Sequence, residues 1–131
     1  MAVEVVIKDE TTSGDVLGEL ALQLQAEQTS VREIIETRVR AEVRAYNASK
    51  VLGTFKGLVQ PTDAERQLNG RRQRPRRVDA DAQVAAALTA FERGHVLVLV
   101  DDLQRDELES ELTLHAGSTV TFLKLAPLVG G

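Results

Sequence analysis

Val96-Leu97-Val98-Leu99-Val100-Asp101-Asp102 is an unbroken apolar run closed by two acids, and Gly117-Ser118-Thr119-Val120-Thr121-Phe122-Leu123 is a turn that leads into a second β-prone run. β-Branched and aromatic side chains suit a pleated surface, and an apolar run without polar interruption suits a strand covered on both faces. The two acids then supply a turn. A short strand is expected at Leu103-Gln104. Beyond the acidic stretch Asp106 to Glu111, Leu112 and Leu114 lead to a turn at Ala116-Gly117-Ser118 and a final strand over Thr119 to Leu125. Pro127, which has no amide hydrogen, ends regular pairing.

Working back to the N-terminus, Val3, Val5 and Ile7 alternate at period two, and Leu20, Leu22 and Leu24 repeat the alternation after a polar stretch containing Ser13-Gly14-Asp15. This predicts a β-hairpin. Ser30-Val31-Arg32-Glu33 has the spacing of a capping box, in which the hydroxyl and the carboxylate satisfy free amides of a first helical turn. Val31, Ile34, Ile35, Val39, Val43 and Tyr46 follow at three- and four-residue spacing, with Arg32, Glu36, Arg40 and Arg44 between them. A helix over 31–46 with one stripe on a sheet is the expectation.

Residues 47–94 interrupt this plan. Gly53, Gly57, Pro61, Asn69-Gly70 and Pro75 break regular structure, with only a short helical candidate near Thr62 and Glu65. The excursion contains Arg71-Arg72-Gln73-Arg74-Pro75-Arg76-Arg77, whose arginines Arg71, Arg72, Arg74, Arg76 and Arg77 concentrate positive potential. A solvated loop offsetting an acidic chain is the plainer account of this run, and an anion-binding or partner-binding loop is the functional one. From Asp79, an N-cap candidate, Val84, Leu88 and Phe91 predict a second helix ending at Gly94. The elements describe one α+β domain over 1–131, with an insertion at 47–94 and a flexible tail at 126–131.

Composition narrows the function. The aromatic residues are Phe55, Phe91, Phe122 and Tyr46, too few for a base-stacking platform. With no cysteine there is no thiolate nucleophile or disulfide, and His95 and His115 alone cannot make a zinc site. No stretch has the apolar length of a membrane helix, and Glu4, Lys8, Asp9 and Glu10 do not suit a signal peptide, so a cytoplasmic protein is expected. No glycine-rich phosphate loop, nucleophile elbow or metal-binding helix occurs, which points away from an enzyme. Asp101-Asp102 reads as turn chemistry rather than a catalytic pair, and Asp106, Glu107, Glu109 and Glu111 lack the glycine-centred spacing of a calcium loop.

The tail Ala126-Pro127-Leu128-Val129-Gly130-Gly131 completes the pattern. Fully extended, six residues reach about 20 Å, and paired glycines thread channels too narrow for branched side chains. A terminal carboxylate is ionised at neutral pH and a poor acyl donor until adenylation provides a leaving group. With this tail, the order of elements, the capped helix at Ser30, Val98-Leu99-Val100-Asp101-Asp102, Leu112-Thr113-Leu114 and Gly117 to Leu123 together resemble ubiquitin and its prokaryotic relatives. The likeness is to the bacterial ubiquitin-like proteins of operons that encode activating, conjugating and deconjugating enzymes. It is good over 95–131, fair over 3–46 and absent over 47–94.

The resemblance implies a β-grasp fold, a mixed sheet of four to five strands packed on a helix, with the loop-rich insertion and second helix between the first helix and the middle strand. It also implies that an activating enzyme uses ATP to adenylate Gly131, that the acyl group passes through a thioester to a target, and that Gly130 and Gly131 form the conjugation site with Pro127, Leu128 and Val129 as its arm. The chain itself holds no cofactor. Its partners would be an activating enzyme, a conjugating enzyme and a deconjugating protease, with neither membrane nor nucleic acid. Family partners grip an outer patch, here matched by Val98, Thr121 and Leu123 if Leu97, Leu99, Val120 and Phe122 face inward. Two alternatives stay open: a sulfur carrier that forms a terminal thiocarboxylate, as in thiamine and molybdopterin synthesis, and a plain interaction module.

Overall fold

The computed structural model describes residues 2–49, 58 and 78–125. The strands are β1 (Val3–Thr11), β2 (Val16–Leu24), β3 (Gln28–Ser30), β4 (Val96–Val100), β5 (Leu103–Arg105), β6 (Glu111–Thr113) and β7 (Thr119–Lys124). The helices are α1 (Val31–Ser49) and α2 (Ala80–Glu92), which follow β3 and precede β4. Five strands form one mixed sheet in the order β2-β1-β7-β4-β5, and β3 pairs with β6 in a separate ribbon. The central pair, β1 and β7, is parallel; the other pairs are antiparallel.

Alternation explains β1: Val3, Val5 and Ile7 are buried while Glu4 is exposed and Val6 half-buried. The matching face of β7 carries Val120 and Phe122, both fully buried, and that of β4 carries Val96, Val98 and Val100. Helix α1 lays Val31, Ile34, Ile35, Val39 and Val43 on this face, none more than 2% exposed. Side chains buried to this degree stabilise the fold by about 1.5–3 kcal/mol each relative to exposure. Leu58, from within the excursion, joins the same core at 2% exposure.

Local chemistry sets the helix starts. The Ser30 hydroxyl accepts the Glu33 amide at 3.2 Å, the hydroxyl half of the expected capping box, while the Glu33 carboxylate accepts the Thr29 hydroxyl at 3.1 Å. Asp79 caps α2 by accepting the amides of Asp81 and Ala82. Helix α1 runs to Ser49, three residues beyond the expected end. The ribbon strand β3 was not expected, because three residues of mixed polarity carry no periodic signal; it forms through pairing of Thr29 with Leu112. Among the described residues, no helix is long and apolar enough to cross a membrane.

Candidate functional site

The face of the sheet turned away from the helices is organised by register. Across adjacent strands, Glu19 of β2, Lys8 of β1, Thr121 of β7, Leu99 of β4 and Gln104 of β5 stand in one row. Val16, Glu10, Leu123 and Leu97 form the next row. Leu97, Leu99 and Leu123 are half-buried, and Val16 at 56% and Leu125 at 44% are exposed. At Asp9 and Glu10 the pairing with β2 shifts from Gly18 to Val16, so Leu17 bulges out of the ladder and is 58% exposed.

This geometry corrects the expected patch. Val98 is 0% exposed and pairs with Phe122, so it belongs to the core, and Leu97 and Leu99 take the outer positions on β4. Thr121 and Leu123 do stand on the outer side, although Thr121 is only 7% exposed between its neighbours. The run Val96 to Val100 is apolar at every position, so polarity gives no parity. Pairing with Phe122 and cover by the helices decide it.

At the other end of β4, Asp101 and Asp102 have positive φ of 48° and 71°, the backbone of a tight two-residue hairpin turn. Asp101 also ties the turn to β7: its amide donates to the Thr119 carbonyl at 2.8 Å and its carboxylate accepts the Thr119 amide at 2.9 Å. The pair is a turn that anchors a strand. His95 and His115 are exposed, and the exposed acids of 106–111 include Glu109, which accepts from Arg32 at 2.6 Å. That hydrogen bond holds the Arg32 guanidinium above its ordinary pKa.

Among the described residues, a charged cluster of Asp9, Arg38, Glu42 and Lys124 reaches the core. The Arg38 side chain is 1% exposed and forks onto both carboxylate oxygens of Asp9, at 2.5 and 2.6 Å. It also reaches Glu42 at 3.3 Å and lies 4.5 Å above the Phe122 ring centroid. Burial opposes its charge, but its hydrogen bonds to Asp9 and the charges of Glu42 and Asp9 outweigh that, leaving the guanidinium pKa raised. Lys124 approaches Asp9 at 3.8 Å, and the second Glu42 oxygen accepts the Leu58 amide at 3.1 Å. The cluster therefore links β1, α1 and the last strand, with one contact to the excursion. Its residues were legible in principle: Asp9 extends the alternation Val3, Val5, Ile7, and Arg38 and Glu42 sit at helical spacing on the apolar stripe of α1.

The chain leaves β7 at Leu125, whose amide donates to the His95 carbonyl at 3.0 Å. Pro127, Leu128, Val129, Gly130 and Gly131, and Arg71, Arg72, Arg74, Arg76 and Arg77, lie outside the described residues. Compared with protein families, with curated proteins and with solved structures, this chain matches none.

Proposed function

We propose that this chain is a ubiquitin-like modifier on a β-grasp body, cytoplasmic, whose Gly131 carboxylate is adenylated by a partner activating enzyme at the expense of ATP. Acyl transfer to a cysteine thiol releases AMP and forms a thioester, and an amine or hydroxyl of the target then displaces the thiol. The observation that carries this reading is the strand order β2-β1-β7-β4-β5, with a parallel central pair and a helix across one face, which is the order of a β-grasp sheet. The chain leaves the central strand β7 six residues before Gly131, so the diglycine is tethered to the middle of the sheet. The reading needs that carboxylate free at the moment of activation.

On this reading, conjugation partners grip the outer face through Leu97, Leu99, Thr121 and Leu123, with Val98 excluded. The test is incubation with ATP and an activating-enzyme relative encoded beside this gene. An adenylate and a thioester, both lost when Gly131 is deleted, are the expected products. Intact mass separates the sulfur carrier, which gains the mass difference between sulfur and oxygen on the free chain instead of appearing as an adduct on another protein. If neither species forms and partner capture survives loss of Gly130-Gly131, the modifier reading fails in favour of an interaction module.

A further inference from the structure

We infer that the outer edge of β2 is a docking surface for a second copy of this chain, which lays its own β2 antiparallel to the first and joins the two five-stranded sheets into one. Among the described residues β2 ends the sheet with β1 as its neighbour, and Val16 to Ala21 and Gln23 are exposed along it. An edge strand carries a row of free amides and carbonyls that templates further pairing unless short length, lysine, proline, a bulge or a covering segment blunts it. β2 is nine residues long, and Val16-Leu17-Gly18-Glu19-Leu20-Ala21-Leu22-Gln23-Leu24 contains one charge and neither lysine nor proline. Its bulge falls at Leu17, which leaves Gly18 to Leu24 in regular pairing with β1. The opposite edge, β5, is only three residues long and ends in Arg105.

The register fixes which backbone groups this edge offers. The Val6 amide donates to the Ser118 carbonyl at 2.8 Å and the Glu4 carbonyl accepts the Gly117 amide at 3.1 Å, so the even positions of β1 turn their backbone groups toward β7. Successive residues of a strand address opposite sides, which leaves Val3, Val5 and Ile7 to bond their partners Leu24, Leu22 and Leu20 on β2. The amides and carbonyls of Glu19, Ala21 and Gln23 therefore address the open side. Three such residues exchange about six hydrogen bonds with an antiparallel strand of the same kind.

The occupant is read from the edge itself. Pairing of a strand with its own copy is two-fold, so each residue stands opposite the one equally far beyond the axis. An axis at Glu19 sets two carboxylates directly against each other, which is destabilising. An axis at Ala21 sets Glu19 against Gln23 of the second copy, twice, and a glutamine amide donates to a carboxylate. Lys8 and Glu19 then continue across the junction into Gln23 and Glu4 of the second copy, with the amide of Gln23 between two carboxylates. On the helix side the same axis lays Leu20, 38% exposed, against Leu22 of the second copy, where aliphatic surface leaves water. The edge is complementary to its own reverse in backbone, charge and apolar surface, which selects a second copy. This contact goes beyond the modifier reading and does not rest on it.

The chain has no cysteine, so Ala21→Cys gives the full chain a single thiol. At the proposed axis the Cα atoms of the two copies stand about 5.5 Å apart, inside the span of about 4.4–6.8 Å that a disulfide bridges. Mild oxidation is expected to trap a covalent dimer about tenfold faster than for Leu17→Cys, also exposed, whose counterpart lies roughly 25 Å away along the paired strands. Sedimentation equilibrium of the unaltered chain should show monomer and dimer exchanging between about 0.1 and 1 mM, the weak association of an interface below about 1,200 Å². Ala21→Lys sets two lysines against each other and should move that equilibrium about fivefold toward monomer. If this variant melts early by circular dichroism, the rate of trapping at Ala21→Cys decides. A monomer throughout that range, trapping no faster than at Leu17→Cys, or a dimer indifferent to a well-folded Ala21→Lys would each overturn the inference. So would a chain that stays monomeric yet binds an added peptide of alternating valine and threonine, because the edge would then serve a different protein.

Discussion

Replacing Arg38 by methionine tests the charged cluster under the sheet. The substitution keeps a long, flexible side chain over Phe122 but removes the fork that neutralises Asp9 and Glu42, whose side chains are 15% and 18% exposed. Both carboxylates then stay mostly buried, left among the described residues with Lys124 at 3.8 Å from Asp9 and the Leu58 amide on Glu42. Breaking a buried ion pair by removing one partner typically costs about 3–5 kcal/mol, chiefly because the other charge is stranded. Against a total of about 5–15 kcal/mol for a domain, that is a large share. Urea unfolding should therefore show a lower midpoint with an unchanged slope. The origin of the cost makes a sharper prediction: adding Asp9→Asn to Arg38→Met should restore part of the lost stability, because one of the two stranded charges is gone while that of Glu42 remains. A loss under about 1 kcal/mol for Arg38→Met, or a double variant less stable than the single one, would refute the reasoning.

Three further outcomes follow from local geometry. Asp102→Gly should stabilise the chain by about 0.5–1 kcal/mol, since φ of 71° suits glycine, and the gain should appear as a higher urea midpoint. Ser30→Ala removes the acceptor of the Glu33 amide and should cost about 1 kcal/mol, read as a lower melting temperature. Val98→Ala should lose about 1.5–3 kcal/mol because that side chain is fully buried, whereas Leu97→Ala, on the half-buried outer face, should lose less. Equal losses at the two positions in urea unfolding would contradict the strand parity.

The local elements were written in the sequence because each depends on nearby residues. The alternation of Val3, Val5 and Ile7, the Ser30–Glu33 cap, the stripe from Val31 to Val43 and the Asp79 cap each specify their own backbone through side chains a few positions apart. Only the tertiary structure decided what depends on distant partners. The inward side of β4 was undetermined because Val96 to Val100 are all apolar, and pairing of Val98 with Phe122 fixed it. The strand β3 exists because Thr29 meets Leu112, far along the chain. Arg38 stands on an apolar helix face, where sequence alone would count it a misfit. It is accommodated because the sheet brings Asp9 beneath it, and a buried charge is tolerable only where folding supplies the opposite one.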